Sequence, residues 1–296
     1  MRWAPLPAVA MALPIDGLAV LTSPYEVLFC DVWGVIHNGR ESFPRPCAAL
    51  ARWRAERGPV ILISNSPRLA GDVEIQLKML GVPSSVWSQI VTSGDATRGL
   101  LGERAPGPAW RIGPDRDASL YEGLDLAFAP IQDAAFIVCT GPNDDEVETP
   151  EDYRAPLAIG AARGLEMICA NPDRVVQRGD RLIYCGGAIA DFYGELGGRV
   201  LMAGKPYAPI YELCFARAGE LLDRRIDPGQ VLAIGDGVAT DLLGAEKQGL
   251  DALFIASGIN GAAAIGADGR LGATEVDALL AKESASAAFV MAELTW

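Results

Sequence analysis

A run of apolar residues that ends in a single carboxylate is the feature that most constrains the fold. Residues 27–31 read Val-Leu-Phe-Cys-Asp, and Val32-Trp33-Gly34 follow. A continuous apolar run is typical of a strand buried on both faces, as in a parallel sheet with helices above and below. Ligand sites in such sheets lie just past the carboxyl ends of the strands, where Asp31 emerges. The run therefore predicts a buried strand with Asp31 at a site, although an acidic residue that simply ends a strand fits equally well.

Further apolar runs, separated by helical patterns, continue this arrangement. The runs cover residues 60–63, 90–92, 231–234 and 252–256, and the helical patterns include residues 47–56, 69–80 and 95–101. Strands that alternate with helices predict an α/β fold with a parallel sheet. Pro67 suits the first turn of the helix after the second strand, because an N–H is not needed there.

Two stretches rich in glycine and proline divide the chain. The first is Ala105-Pro106-Gly107-Pro108, and the second is Leu196-Gly197-Gly198-Arg199. Between them, short strand and helix patterns alternate again. We therefore predict an inserted α/β cap domain over residues 105–199, and a core domain made of residues 1–104 and 200–296.

The composition excludes several classes of partner. Half of the 296 residues are hydrophobic, which indicates a globular protein, and the formal net charge is −13. This negative charge repels phosphate backbones, so we expect no nucleic-acid partner and no anionic membrane partner. A small phosphorylated substrate remains compatible, because a local site can be positive inside an acidic protein.

The cysteines and the N-terminal residues bear on the cellular compartment. Six cysteines occur without a C-x-x-C pair, and His37 is the sole histidine, so a structural zinc site is not expected. The first fourteen residues contain three prolines and match a signal peptide poorly, and no later stretch resembles a membrane span. These features predict a protein of the reducing cytoplasm.

Polar residues that suit phosphoryl chemistry follow the predicted strands. A carboxylate can act as nucleophile, a serine and backbone amides at a helix start can hold phosphate oxygens, and a lysine adds positive charge. Two aspartates in a glycine-containing loop offer oxygen ligands for Mg²⁺. In this order, the residues are Asp31, then Ser64 with Asn65 and Ser66, then Lys205, and finally Asp236 with Asp241. Each segment alone also fits an ordinary strand end, helix cap, loop or turn, but the set indicates a phosphoryl-transfer site.

The order of these motifs resembles that of the haloacid dehalogenase (HAD) superfamily of phosphohydrolases. The aspartate motif reads Asp31-Val32-Trp33-Gly34-Val35, the Ser/Thr motif reads Ser64-Asn65-Ser66, the lysine lies in Gly204-Lys205-Pro206, and the acidic motif spans residues 235–241. An insertion between the Ser/Thr motif and the lysine, with Asn171-Pro172-Asp173 inside it, is similar to one branch of the superfamily. That branch contains 4-nitrophenyl, nucleotide, phosphoglycolate and pyridoxal phosphate phosphatases.

The resemblance implies a Rossmann-like core, Mg²⁺ as cofactor, and a catalytic or binding role for each residue of the motifs. Its metal ligands for Mg²⁺ would be Asp31, the backbone carbonyl of Trp33, Asp236 and Asp241. Asp31 would form an aspartyl-phosphate with the help of Ser64 and Lys205. The residues that contact the substrate would be Asn65, Ser66, Asn171 and Asp173. The expected substrate is a small phosphorylated metabolite such as a sugar or nucleotide phosphate, and a homodimer through the cap is compatible with this branch.

Trp33 departs from the pattern of the family. Phosphatases of the superfamily have a second aspartate at this position, which protonates the leaving oxygen and later activates water. An indole cannot do either. General acid–base help is typically worth ~10²–10⁴-fold, so we expect ordinary alkyl phosphates to be poor substrates.

Three explanations of this departure remain open. The substrate can have a leaving group that needs little protonation, as in an aryl, enol or acyl phosphate. His37, six positions after Asp31, can replace the missing acid, because the pKa of histidine suits proton transfer. Alternatively, the chain is a catalytically impaired member that binds a phosphorylated ligand and acts as a sensor or partner protein.

Overall fold

The structure is a computed structural model of the chain. It describes residues 12–21, 24–178, 181–258, 264–266 and 271–296, so most of the N-terminal stretch compared with a signal peptide lies outside the described residues.

Strands and helices alternate along most of the chain. The strands are β1 (Leu13–Pro14), β2 (Val27–Asp31), β3 (Val60–Ser64), β4 (Gln89–Thr92), β5 (Ala109–Ile112), β6 (Phe136–Cys139), β7 (Glu166–Cys169), β8 (Val175–Arg178), β9 (Arg181–Tyr184), β10 (Arg199–Met202), β11 (Val231–Gly235), β12 (Asp251–Ile255) and β13 (Phe289–Met291). The α-helices are α1 (Pro44–Glu56), α2 (Ala70–Met79), α3 (Ser93–Gly102), α4 (Arg154–Ala162), α5 (Gly186–Glu195), α6 (Ala208–Leu222), α7 (Leu243–Gln248) and α8 (Ala273–Lys282). Short 3₁₀ segments include Asp115–Tyr121 and Pro150–Tyr153, and a single π turn covers Val238–Leu242.

The larger sheet has seven strands in the order β1-β13-β12-β11-β2-β3-β4. The neighbouring pairs from β1 to β3 are parallel. All five residues of β2 and of β11 are buried, as the continuous apolar runs require for strands covered on both faces. The predicted α/β fold with a Rossmann-like parallel sheet is therefore confirmed.

The chain divides into two compact units. The first unit consists of residues 1–63, 77–89 and 214–296, and it contains the central strands β2, β11 and β12. Within it, Ile234 of β11 pairs with Cys30 of β2, next to Asp31. The carboxyl ends of β2 and β11 therefore lie side by side at one edge of the sheet.

The second unit consists of residues 64–76 and 90–213, and it has its own sheet in the order β10-β7-β6-β5. All three strand pairs of this sheet are parallel. A hydrophobic layer on one face combines Ile137 and Met167 of the sheet with Leu157 of α4 and Tyr193 of α5. The second unit is thus a second α/β layered structure with a separate core.

A different layer covers the opposite face of this smaller sheet. It combines Phe136, Val138 and Ile168 of the sheet with Leu101 of α3 and Leu120 of the 3₁₀ segment. Residues 136 and 138 point to one layer and residues 137 and 139 to the other, which is the period of two of a strand.

The second unit includes more of the chain than the predicted cap. Besides residues 105–199, it contains residues 64–76, 90–104 and 200–213. One reason is that α3 supplies Leu101 to a layer of the smaller sheet, and another is that β10 begins at Arg199 and pairs with β7. The predicted boundaries at 104/105 and 199/200 stay a prediction.

Helix length and hydropathy bear on membrane insertion. Among the residues that the structure describes, no helix is long and apolar enough to cross a membrane.

Candidate active site

Three buried carboxylates meet at the carboxyl edge of the larger sheet. Asp31 is the last residue of β2, Asp236 follows β11, and Asp241 lies in the π turn over Val238–Leu242. One oxygen atom of each carboxylate lies within 4.8 Å of the other two. The structure thus brings together three of the residues predicted to hold a metal.

Local backbone bonds fix Asp241 within this cluster. The N–H of Asp241 donates to the carbonyl of Gly237 at 2.8 Å. In return, the N–H of Gly237 donates to the Asp241 carboxylate at 3.0 Å. A Cβ atom on Gly235 would lie 2.1 Å from Cγ of Asp241, so the Asp241 carboxylate lies against the end of β11.

Glycines leave room for these carboxylates. A Cβ atom on Gly34 would lie 2.2 Å from Oδ2 of Asp236, and one on Gly258 would lie 2.0 Å from the same oxygen. Gly34 also has a φ of +84°, in the left-handed region that favours glycine. The glycine in the first predicted motif is therefore required both by its backbone conformation and by the close approach of Asp236.

The donor set fits a divalent cation. Three carboxylates this close repel one another strongly unless a cation lies among them. Carboxylate oxygens are also the ligands that Mg²⁺ and Ca²⁺ prefer. The cluster of Asp31, Asp236 and Asp241 is therefore a candidate metal centre. The predicted fourth ligand, the backbone carbonyl of Trp33, stays a prediction.

Trp33 lies at the base of a short folded loop. Its backbone forms a β-bridge with His37, and the N–H of Gly34 donates to the carbonyl of His37 at 2.8 Å. Trp33 is 37% exposed, and its indole Nε1 would lie 3.2 Å from a Cβ atom on Gly39. The side chain thus covers the loop from outside and carries no group that could transfer a proton.

His37 does not have the surroundings of a proton donor. The side chain is buried, and its Nδ1 accepts a hydrogen bond from the N–H of Gly39 at 2.9 Å. Burial lowers the pKa of His37 from 6.5 to about 4, so the imidazole is neutral near pH 7. The structure therefore argues against the hypothesis that an imidazolium at position 37 replaces the missing acid.

The Ser64-Asn65-Ser66 segment lies in the second unit, and it does not start a helix as predicted. Helix α2 begins at Ala70, three residues after Pro67. The hydroxyl of Ser66 accepts the N–H of Arg68 at 3.2 Å, which favours a turn over a helical start. The N–H of Ala70 is bound instead by the carboxylate of Asp95 at 3.3 Å. The helix therefore starts three residues after Pro67, and the role of the Asn65 and Ser66 amides in holding phosphate stays a prediction.

The side chain of Asn65 connects two other predicted site residues. Its Oδ1 accepts the backbone N–H of Lys205 at 2.7 Å. Its Nδ2 donates to the carbonyl of Lys205 at 3.2 Å and to the carboxylate of Asp173 at 2.9 Å. Within the second unit, the structure therefore brings Asn65, Asp173 and Lys205 together.

Asn171 and Asp173 form a tight turn after β7. The side-chain oxygen of Asn171 accepts the N–H of Asp173 at 3.1 Å, which is an Asx turn. The carbonyl of Asp173 accepts the N–H of Gly187 at the start of α5. Both side chains are half-buried and hold local structure, and their predicted contact with the substrate stays a prediction.

Two residues next to Lys205 were not predicted. A Cβ atom on Gly204 would lie 2.5 Å from Oδ1 of Asn65 and 2.7 Å from the hydroxyl of Ser93. Ser93 is the first residue of α3, and its buried hydroxyl has no hydrogen-bond partner among the described residues. In the sequence, Gly204 beside Lys205 was the one signal of this close contact, but a Gly-Lys-Pro sequence alone fits many loops.

Comparison with known proteins identifies the family of the chain. The haloacid dehalogenase-like hydrolase family matches residues 28–127, and a second, HAD-hydrolase-like family matches residues 202–284. A solved haloacid dehalogenase-like hydrolase from Brucella suis is 44% identical, with a TM-score of 0.82 over 95% of this chain and 100% of that one.

Two more distant relatives carry more specific names. The 5'-nucleotidase YutF of Bacillus subtilis is 22% identical over 79% of this chain and 88% of its own. The glycerol phosphate phosphatase of Mycobacterium tuberculosis, solved with calcium, is 23% identical with a TM-score of 0.62, over 82% of this chain and 70% of that one.

The chain belongs to the haloacid dehalogenase-like hydrolases. The parallel sheet that ends in an acidic cluster agrees with this family. Within it, the chain is a phosphatase of the branch that carries an inserted cap.

Proposed function

We propose that the chain is a Mg²⁺-dependent phosphoric monoester hydrolase that acts through an aspartyl-phosphate on Asp31. The observation that carries the proposal is the buried cluster in which Asp31 lies with Asp236 and Asp241. Asp31 is the last residue of β2, at the carboxyl edge of the sheet, where ligands bind in open α/β sheets.

Each residue would have a defined part in the reaction. A bound divalent cation would lower the charge on the phosphoryl group, so that one anion can approach another. Asp236 and Asp241 would hold that cation. The Asp31 carboxylate would attack phosphorus, the bond to the leaving oxygen would break, and water would then hydrolyse the acyl phosphate and release inorganic phosphate. Lys205 would contribute positive charge, and Ser64 would donate a hydrogen bond to a phosphate oxygen.

The substrate is proposed as a small phosphorylated metabolite, such as a sugar or nucleotide phosphate. Relatives named for a nucleotide and for glycerol phosphate support this class. Since Trp33 and a neutral His37 offer no acid, we expect these alkyl phosphates to be hydrolysed slowly and phosphates with stable leaving groups to react fastest. Pairing of two chains through the cap stays a prediction.

Steady-state hydrolysis of 4-nitrophenyl phosphate with Mg²⁺ tests the proposal, because the phenolate leaves with little need of a proton. We expect the native chain to turn over, and we expect Asp31→Asn or EDTA to abolish the rate. Equal rates for native and Asp31→Asn proteins would overturn the proposed role of Asp31. An inactive native chain beside an active Trp33→Asp variant would instead favour the alternative, a protein that binds a phosphorylated ligand as a sensor or partner.

A further inference from the structure

The carboxamide of Asn65 holds both backbone groups of Lys205. Its oxygen accepts the lysine N–H at 2.7 Å, and its nitrogen donates to the lysine carbonyl at 3.2 Å. Two bonds from one planar amide fix the orientation of the backbone as well as its position. Asn65 is buried, so these bonds are shielded from competing water.

The residue before the lysine lies in a slot that has no room for a side chain. The Cβ position of Gly204 is 2.5 Å from Asn65, 2.7 Å from Ser93 and 2.9 Å from Pro172. Contacts under 3.0 Å cannot be accommodated without movement of these neighbours. The backbone of residues 204–205 is therefore held by the hydrogen bonds between Asn65 and Lys205 and by the close neighbours of Gly204.

A third bond extends this arrangement to the turn after β7. Nδ2 of Asn65 also donates to Oδ1 of Asp173 at 2.9 Å. One buried amide thus joins Lys205, a predicted catalytic residue, and the turn predicted to contact the substrate. A lysine side chain is a flexible stem of four carbons, so the position of its ammonium group depends on where its backbone is fixed.

We propose that Asn65 is a positioning residue, which acts on the phosphoryl group through Lys205 and not by a side-chain contact with the substrate. The inference rests on the proposed phosphatase function. It assigns to the Asn65 side chain a role different from substrate binding, and it couples the lysine to the turn at Asp173.

A double-mutant cycle separates these roles. We expect Asn65→Ala to lower kcat/KM for 4-nitrophenyl phosphate about 10²-fold, as a misplaced catalytic group does. In a Lys205→Ala background, the same change should cost less than about threefold, because the group that it positions is gone. Asn143→Ala is the matched control. It removes a carboxamide of the second unit that accepts the N–H of Gly113 at 3.0 Å and has no part in the site, so its rate should stay within about twofold of native.

Exchanging the side chains of positions 65 and 173 tests the hydrogen bond between Asn65 and Asp173 without deleting a side chain. Asn65→Asp alone should be severely impaired, since it loses both donated bonds and faces the Asp173 carboxylate. Adding Asp173→Asn returns a donor to this contact and should recover at least about tenfold of the lost rate. Melting curves with and without the second change check that the recovered rate is not explained by recovered folding stability.

The affinity for inorganic phosphate, measured by calorimetry with Mg²⁺, provides a second readout of the same cycle. If the losses for Asn65→Ala and Lys205→Ala are additive in an active enzyme, the positioning role is wrong but the proposed function stands. The same holds if adding Asp173→Asn to Asn65→Asp recovers none of the lost rate. A native chain that neither hydrolyses 4-nitrophenyl phosphate nor binds phosphate would overturn the proposed function, and this inference with it.

Discussion

Neutral, buried His37 should make the folding stability depend on pH in a defined window. Burial lowers its pKa to about 4 in the folded chain, against 6.5 for the unfolded chain. The folded state therefore favours the uncharged imidazole. The stabilisation is complete above pH 6.5, and it is lost as the pH falls through the window from 6.5 to about 4, because the unfolded chain then binds a proton that the folded chain does not.

The size of the effect follows from the two pKa values. The difference between a pKa of 6.5 and one of about 4 corresponds to about 3 kcal/mol in total. Between pH 7.5 and pH 5, linkage gives a loss of roughly 2 kcal/mol from this residue. The variant His37→Asn keeps an acceptor for the N–H of Gly39 and does not titrate, so it is the reference.

Urea unfolding of both proteins in EDTA, at a series of pH values, measures this contribution. We expect the stability difference between native and His37→Asn proteins to shrink by roughly 2 kcal/mol from pH 7.5 to pH 5. Because His37 is the sole histidine, its ring resonances also give the pKa directly by NMR. A difference that is constant with pH, or a measured pKa near 6.5, would refute the assignment of a buried neutral imidazole.

Three further perturbations test the described structure. Gly34→Ala should destabilise the fold by more than about 1 kcal/mol and weaken Mg²⁺ binding in calorimetry, since φ is +84° and the new carbon would lie 2.2 Å from the Asp236 carboxylate. Trp33→Asp should raise kcat for an alkyl phosphate by ~10²–10⁴-fold and affect 4-nitrophenyl phosphate much less, which a leaving-group series would show. Tyr193→Phe should cost about 1–2 kcal/mol in urea unfolding, because the buried hydroxyl donates to the carbonyl of Leu165 at 2.7 Å.

The buried strands of the larger sheet were predictable because their signal is local. Residues 60–63 and 231–234 are continuous apolar runs, and the structure has strands over Val60–Ser64 and Val231–Gly235. The acidic residues at the ends of β2 and β11 were assigned to one site from their places at strand ends and from the family resemblance. The structure adds that the two strands are neighbours.

Helix α5 was missed because its sequence begins with two glycines, which have low helix propensity. The structure gives the reason for one of them. A Cβ atom on Gly187 would lie 2.1 Å from the carbonyl of Pro172, so the first turn of α5 must pack directly on the turn after β7. A tertiary contact of this kind overrides local propensity and leaves no periodic signal in the sequence.

The connection through Asn65 was also beyond prediction, since its partners lie 108 and 140 positions away. Nothing in the spacing of Asn65, Asp173 and Lys205 indicates that one amide serves both of the others. The helix also begins later than the predicted start at Pro67. Here the cause is local, because the hydroxyl of Ser66 accepts the N–H of Arg68 in a turn.

The strand order of the smaller sheet limits how this chain can be divided in evolution or in the laboratory. Because β5, β6, β7 and β10 follow one another in a single direction, α4 and α5 pack in the layer on the same face. The other face, with Phe136, Val138 and Ile168, is covered partly by α3, which precedes the inserted stretch. A transplanted fragment of residues 105–199 would carry an apolar face without this cover and most of β10 would be missing. The segment that can be exchanged as one unit is therefore the insertion together with α3, β10 and the residues around Lys205. We expect exchanges of the cap between relatives to succeed only when these segments are included.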